Sequence, residues 1–121
     1  MSYVCVIKQK NMTQKKSSLF EKDLQRIAEL SRVMSHPARL AILRYLAQCK
    51  TCISGDISNE IPLSRTTVSQ HLQELKKVGL IKGQIDGLKV NYCLCGSCII
   101  DLKDLMNGFF EEISVGQENH C

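Results

Sequence analysis

One stretch of this 121-residue chain, from Ser54 to Leu80, constrains its fold more than any other. Apolar residues recur at helical spacing on both sides of Pro62, which stops a helix because it lacks a backbone N–H. A serine precedes each apolar run, where its hydroxyl can accept an orphan N–H at a helix start. Gly79 follows the second run, at the position where many helices end. The stretch therefore predicts two helices, over 54–61 and 64–78, joined by a tight turn.

The second of these helices carries an unusual polar face in its first turns. Its side chains there are short or forked hydrogen-bonding groups, whereas a solvated face usually carries the Glu and Lys that appear here only from Glu74 onward. Donors and acceptors at the N-terminal end of a helix suit the reading of base edges in the DNA major groove. An ordinary polar helix start is the alternative interpretation. The residues predicted to contact DNA are Ser64, Arg65, Thr66, Thr67, Ser69 and Gln70.

A hairpin is predicted directly after this helix. Two short strand-like runs, over 80–85 and 88–92, flank Asp86-Gly87, which is a strong hairpin signal. A hairpin in this position is a wing, and Lys82 and Lys89 lie on it. These lysines are predicted to contact DNA phosphates, which position a protein without reading sequence; ordinary surface lysines are the alternative. His71, in the preceding helix, suits either a phosphate contact or packing.

Three further amphipathic segments, over 19–34, 37–48 and 97–114, surround this motif. The last has a wide apolar stripe, which together with the first predicts a homodimer interface; packing within one chain is the alternative. The predicted fold class is mainly α with a small β-hairpin wing (α+β), a winged helix-turn-helix in the order α-α-α-α-β-β-α. We expect a flexible N-terminal arm over 1–18, the DNA-binding and dimerisation domain over 19–115, and a frayed tail over 116–121.

The charge distribution indicates an anionic partner at one surface. The net charge is +4, but residues 1–50 hold ten basic against three acidic side chains, whereas residues 97–121 hold one basic and five acidic. The opening residues lack the apolar run of a secretory signal and no segment reaches transmembrane length, so we expect a cytoplasmic protein without membrane contact. There is no sign of a nucleophile with an adjacent base, nor of a Gly-rich phosphate loop, which argues against an enzyme.

Seven cysteines in a chain expected in the cytoplasm indicate metal, metalloid or redox chemistry rather than a disulfide framework. Cys93, Cys95 and Cys98 form the densest group. Strand alternation places Cys93 and Cys95 on one face, and Gly96 permits a sharp turn that returns Cys98 toward them. Three thiolates suit soft, thiophilic ions such as arsenite and antimonite, whereas zinc requires a fourth ligand. Cysteines that simply fill core positions are the alternative.

Another cysteine pair, Cys49 and Cys52, precedes the helix-turn-helix with C-x-x-C spacing, and Cys5 lies in the predicted arm. This spacing occurs in metal-binding and thiol-exchange sites, but no βαβ pattern surrounds it, which argues against a thioredoxin-like fold. The three residues are therefore secondary candidates for a metal site, with a structural or incidental role as the alternative.

Over residues 20–113 the chain resembles the ArsR/SmtB family of metal-sensing winged-helix repressors. The resemblance rests on Met34–Leu43 (MSHPARLAIL), on Thr67–Leu72 (TVSQHL), and on Val78–Ile81 followed by an Asp-Gly wing and Asn91-Tyr92. It implies a homodimer that binds a two-fold operator in double-stranded DNA near its own operon. Inducer binding is then expected to lower the affinity for the operator and to release transcription.

Departures from the family pattern bear on the inducer. Arsenic sensors of the family carry Cys-x-Cys-Asp at the first helix of the motif, whereas this chain has only Cys52 near Asp56. That site is incomplete without Cys49 or Cys5. The zinc and nickel sensors place Asp and His pairs on the last helix, which has no histidine here, so the resemblance gives no such site.

The group formed by Cys93, Cys95 and Cys98 resembles the three-cysteine sites that some arsenic-responsive members place after the wing. The resemblance therefore implies As(III) or Sb(III) as the inducer, with no organic cofactor. A thiol-redox repressor of the same fold, or one that responds to cadmium, lead or zinc, is the alternative.

Overall fold

The computed structural model describes residues 16–50, 52–55, 57–86 and 89–116, and of residues 17, 18, 85, 86, 89 and 90 it describes the backbone. A short 3₁₀ turn, Lys16–Leu19, precedes helix α1 (Lys22–Val33) and helix α2 (Pro37–Cys49), which match the first two predicted helices. Most of the predicted arm (1–15) and tail (117–121) lies outside the described residues.

His36 and Pro37 form the corner between α1 and α2. The His36 Nδ1 accepts the Ala38 N–H at 3.0 Å, and Pro37 occupies the first helical position, where a missing N–H costs nothing.

Helix α3 (Arg65–Lys77) is the second helix of the predicted motif and is called the reading helix below. Its start is capped as predicted, because the Ser64 hydroxyl accepts the Thr67 N–H at 3.2 Å. Its end is a left-handed turn at Gly79, whose φ is +87°. The Leu80 N–H then reaches back to the Leu75 carbonyl at 3.1 Å, which satisfies one of the carbonyls left unpaired at a helix end.

The first helix predicted for the motif, over 54–61, is not formed as a regular helix. Within the described residues Ile57 to Ile61 make a single turn, in which the Ile61 N–H donates to the Ile57 carbonyl at 3.2 Å. Ser54 is in a strand instead of capping a helix. The segment between Gly55, with a φ of +94°, and Pro62 is short, and a first helical turn is costly to nucleate. Ile57 and Ile61 are still buried, each 4% exposed, so the predicted apolar face is kept.

Three strands form an antiparallel sheet in the spatial order β1-β3-β2. Strand β1 (Ile53–Ser54) precedes the reading helix in the chain, and β2 (Ile81–Asp86) and β3 (Lys89–Leu94) follow it. Strands β2 and β3 form the predicted wing. The register pairs Asp86 with Lys89, so Asp86 closes β2 and the connection falls one residue later than the Asp-Gly pair predicted. Strand β1 was not predicted. It pairs Ile53 with Tyr92 and therefore makes β3 the central strand.

Helix α4 (Gly96–Ser114) packs against α1 and contributes one residue, Leu102, to the buried core. Several of its other apolar side chains, including Ile100, Phe110 and Ile113, are exposed. No helix in the described part of the chain is long and apolar enough to span a membrane. Helices α1 to α4 and the sheet share one core. Its buried apolar residues are Leu30, Val33, Ile42, Leu46, Ile57, Ile61, Val68, Leu72, Leu75, Val78, Leu80, Ile81, Tyr92 and Leu102.

Candidate functional site

The reading helix presents its first turns to solvent. Arg65, Thr66 and Gln70 are exposed, whereas Ser69 is half-buried. Ser64 and Thr67 are engaged with each other through a 2.9 Å hydroxyl–hydroxyl hydrogen bond as well as the cap, so they fix the start of the helix. The opposite face of the helix is buried in the core. The arrangement leaves Arg65, Thr66 and Gln70 on the outward face of an anchored helix, as major-groove reading requires.

His71 lies on the buried side of the same helix and is 8% exposed. Its Nδ1 accepts a hydrogen bond from the Arg39 Nε at 3.1 Å, and the Arg39 Nη1 donates to the Val33 carbonyl at 3.1 Å. The ring centroid of His36 is 4.5 Å from that of His71. The sequence allowed two roles for His71, a phosphate contact or packing, and in the structure its side chain is packed. Arg39 was missed, because no sequence signal ties it to a residue 32 positions away.

Burial lowers the pKa of His71 below its usual 6.5, and the neighbouring charges of His36 and Arg39 lower this pKa further. Glu74 and Lys77 lie across the adjoining cleft. The unfolded chain therefore binds a proton on His71 more readily than the folded one. The contribution of His71 to stability is complete above about pH 6.5 and is lost as the pH falls from there toward the lowered folded pKa.

We expect the free energy of unfolding, measured by urea titration, to fall between pH 7.5 and pH 5.5 in the wild type. His71→Gln keeps an acceptor for the Arg39 guanidinium but cannot titrate, so its profile should be flatter over this range. Groups away from His71 contribute equally to both profiles, so the difference between them reports on His71 together with its interaction with the neighbouring His36 charge. Identical slopes for the two proteins would contradict this assignment.

Of the two wing lysines, the structure describes the side chain of Lys82 but not that of Lys89. Lys82 is exposed on β2, and the register pairs it with Cys93 on β3. Directly opposed residues of antiparallel strands point to the same face, so the Lys82 side chain is a neighbour of the Cys93 thiol. Lys89 opens β3, but its side chain lies outside the described part of the structure.

Four of the cysteines meet in two pairs at the end of the sheet. Cys52 is joined to Cys93 and Cys95 to Cys98, with Cα–Cα distances of 4.3 Å and 5.3 Å. The first pair follows from strand register. Because Ile53 pairs with Tyr92 in antiparallel strands, Cys52, which precedes Ile53, falls opposite Cys93, which follows Tyr92. The second pair spans the start of α4, where one cysteine is the N-cap and the other lies in the first turn.

This arrangement differs from the predicted convergence of Cys93, Cys95 and Cys98. Strand β3 ends at Leu94, so alternation does not extend to Cys95, which turns instead into α4. Cys93 faces Cys52 across the sheet. Among the described residues, no three Cys, His, Asp or Glu side chains are grouped so as to hold a metal ion. The three-sulfur set therefore stays a prediction.

Cys49 lies outside both pairs, on the last turn of α2. A side-chain hydrogen bond with Cys49 raises the pKa of Tyr45, which places the thiol against the phenol one helical turn earlier. Helix α2 ends at Cys49 and is capped by Lys50, whose φ is +59°, and β1 begins at Ile53. The two cysteines of the C-x-x-C spacing thus lie at different elements, since Cys49 is the last residue of α2 and Cys52 directly precedes β1. Cys5 lies outside the described residues.

The cysteine pairs adjoin both a cleft and the reading helix. A cleft of about 270 Å³ beside Cys52 and Cys93 is lined by Leu46 and Leu94 and by the exposed Lys50. The Cys95 N–H donates to the Leu80 carbonyl at 2.9 Å, directly after the turn that ends the reading helix. This backbone hydrogen bond links the residue that precedes α4 to the residue that follows the end of the reading helix.

Comparison with known proteins places the chain among helix-turn-helix transcriptional regulators. A helix-turn-helix domain model matches residues 34–84. The cadmium resistance transcriptional regulatory protein CadC of Listeria innocua is 30% identical over 110 residues, which are 91% of this chain and 92% of that protein. The regulator CmtR of Mycobacterium bovis is 34% identical over 71 residues, 59% of each chain.

Two solved structures share the fold. An ArsR-like transcriptional regulator from Rhodococcus sp. RHA1 superimposes with a TM-score of 0.59 at 19% identity, over 75% of this chain and 85% of that one. The DNA-binding domain of Mb0332 from Mycobacterium bovis, described as a homodimeric winged helix-turn-helix, gives 0.53 at 24% identity, over 92% of this chain and 100% of that one. Both likenesses support the winged helix-turn-helix architecture.

Proposed function

Because the chain belongs to the ArsR/SmtB family of helix-turn-helix transcriptional regulators, we propose that it is a repressor that leaves its operator when a thiophilic ion binds its cysteine thiolates. The proposed inducer is trivalent arsenic or antimony. One observation carries this proposal: four cysteines surround the junction at which α4 is hydrogen-bonded to the end of the reading helix, through the Cys95 N–H and the Leu80 carbonyl.

The chemistry of the inducer accounts for a structural change. Soft ions prefer thiolate ligands, and arsenite forms each As–S bond as a thiol proton and an arsenic-bound hydroxide leave together as water. With Cys93, Cys95 and Cys98 as the proposed ligands of the reduced protein, all three sulfurs must meet on one ion. Cys93 must then move away from Cys52. Inducer binding therefore deforms the junction between β3 and α4, next to the end of the reading helix.

The apolar surface of α1 and α4 supports a homodimer. Leu24 is exposed on α1, as are Phe110 and Ile113 on α4, and a groove of about 320 Å³ between the two helices is lined in part by Ile27 and Phe109. Apolar side chains concentrated on one face of a small domain mark an interaction surface. Two copies joined here would present two reading helices to a two-fold operator.

Arg65→Ala is expected to weaken operator binding by about 1–3 kcal/mol if the guanidinium reads a base edge. Lys82→Ala, the matched change on the wing, should instead lower the affinity evenly across sequences and reduce the slope of log K against log[salt] by about 1. Fluorescence anisotropy with operator and random duplexes distinguishes the two. Equal losses on both duplexes for Arg65→Ala would show that it contacts only phosphate.

The proposed function is tested with reduced protein and an operator selected from random duplexes. Arsenite and antimonite should raise the dissociation constant for the operator at concentrations comparable to the protein, with cadmium, lead and zinc as comparison ions. Operator binding that none of these ions changes would contradict the proposal. Release by cadmium alone would keep the thiol mechanism but replace the inducer.

A thiol-redox repressor is the second candidate, because the structure joins the four sulfurs in two pairs. Each pair would lose two protons and two electrons to one peroxide, giving a disulfide and two water molecules. The same deformation at the start of α4 would follow from closing or opening the bond between Cys95 and Cys98. Loss of operator binding with peroxide, reversed by dithiothreitol and accompanied by no arsenite effect, would favour this candidate.

A further inference from the structure

The end of the reading helix is bound by a side chain from the first helix. The Arg26 Nη2 donates to the Val78 carbonyl at 2.8 Å, across 52 residues of sequence and in a partly buried position. Val78 is the C-terminal cap of the reading helix and is itself buried. Carbonyls at a helix end lack intrahelical donors and carry the negative end of the helix dipole, so a guanidinium is a favourable partner for them.

The Cys98 thiol, one of the proposed ligands of the inducer, lies close to this hydrogen bond. A Cβ built on Gly79 would lie 3.9 Å from the Arg26 Nη2 and 4.0 Å from the Cys98 Sγ. The guanidinium and the thiol therefore both lie beside the same glycine. They also line one cleft of about 250 Å³, together with the Asp101 carboxylate.

We propose that Arg26 is the positioning residue that couples the state of the Cys98 thiol to the reading helix. Without an ion at Cys98, Arg26 binds the Val78 carbonyl, as it does in the structure where Cys98 is joined to Cys95, and sets the angle of the reading helix for DNA. When an ion binds the Cys98 Sγ, the ion and its other ligands occupy the space beside Gly79, which has no side chain to exclude them. The guanidinium then leaves the helix end, and Asp101 in the same cleft is its new partner. This inference rests on the proposed function.

The second contact of Arg26 supplies a matched control. The Arg26 Nη1 forms an exposed ion pair with Glu29 at 2.8 Å, one turn along α1. Glu29→Gln removes this pair but leaves the bond to Val78. Surface ion pairs of this kind contribute little to stability, so Glu29→Gln should behave as the wild type. Arg32→Gln removes a comparable exposed positive charge from the same helix.

The quantity to measure is the release factor, the ratio of operator dissociation constants with and without saturating arsenite. Arg26→Gln should bind the operator more weakly without arsenite, and its release factor should fall at least fivefold from that of the wild type, toward one. Arsenic bound per chain, measured by equilibrium dialysis, should be unchanged. Arg26→Lys keeps a cationic donor for the carbonyl and should give an intermediate factor, and the two control variants should keep the wild-type factor.

An unchanged release factor in both Arg26 variants would overturn the inference, because a purely structural role weakens operator binding equally with and without arsenite. Wild-type protein that binds arsenic with a release factor of one would overturn the proposed function itself. If Arg26→Gln does not fold, as judged by far-ultraviolet circular dichroism, Arg26→Lys decides: an intermediate factor supports the coupling, and a wild-type factor contradicts it.

Discussion

Replacing Gly83 by alanine is expected to disrupt the wing more than the same change at any other described glycine. Gly83 has a φ of +134°, and a Cβ there would lie 2.6 Å from the Tyr92 Cα and closer still to the Asn91 carbonyl oxygen. Both are backbone atoms of the paired strand, so β2 and β3 must separate to make room. Tyr92 is fully buried, and separation would expose it.

The expected loss is on the order of 3 kcal/mol or more, because a strained backbone, a lost strand pairing and an exposed core side chain combine. For a domain of this size the midpoint of thermal unfolding should fall by about 10 °C or more. Operator release should fail as well, since β3 carries Cys93 next to the disrupted position.

Gly96→Ala is the control for this change. Gly96 is exposed at the start of α4, and a Cβ there would meet nothing within 4 Å. A side chain in an allowed helical position restricts the unfolded chain, so this variant should be as stable as the wild type or more stable by about 0.4–1 kcal/mol. Similar melting midpoints for Gly83→Ala and Gly96→Ala would contradict the register of the wing.

Replacing Cys95 and Cys98 together by serine is expected to abolish operator release by arsenite while leaving operator affinity near that of the wild type. Coupling free energies between two sites are typically about 1–3 kcal/mol, which corresponds to a change of roughly 5- to 150-fold in the operator dissociation constant. The double variant should lose this whole factor, because serine oxygens do not replace thiolates on a soft ion. Anisotropy titrations with and without arsenite measure it.

Single variants locate the ligand set. Cys49→Ser should release normally, because Cys49 lies outside both pairs. Cys52→Ser frees Cys93 from its cross-strand partner and should preserve or strengthen arsenite binding. Loss of release in Cys52→Ser but not in Cys98→Ser would instead place the inducer site at Cys52.

Local patterns of the sequence were enough to predict most of the helices and the wing. The apolar spacing around Val68 and Leu75 defines the reading helix, and the runs beside Asp86-Gly87 define the hairpin. The segment over 54–61 was predicted wrongly, because Ser54 belongs to β1 and Gly55 has a positive φ, which leaves a single turn from Ile57 to Ile61. Its burial comes from the isoleucines, which a single turn can also place in the core.

The candidate site was harder to predict, because its contacts join distant parts of the chain. The two-residue strand β1 has no local signal, yet its register alone brings Cys52 to Cys93, 41 positions away. Arg26 is likewise one of several basic residues on an amphipathic helix. Periodicity assigns such a residue to a face, but the carbonyl it binds depends on how α1 meets the end of the reading helix.

In the proposed mechanism, inducer binding at the cysteines and operator binding at the reading helix oppose each other. Such coupling is reciprocal, so the operator must weaken inducer binding by the same factor by which the inducer weakens operator binding. The most direct measurement is the arsenite dissociation constant of the reduced protein, with and without saturating operator. We predict that the operator raises it by a factor equal to the release factor. An arsenite affinity that the operator leaves unchanged would contradict the proposed coupling.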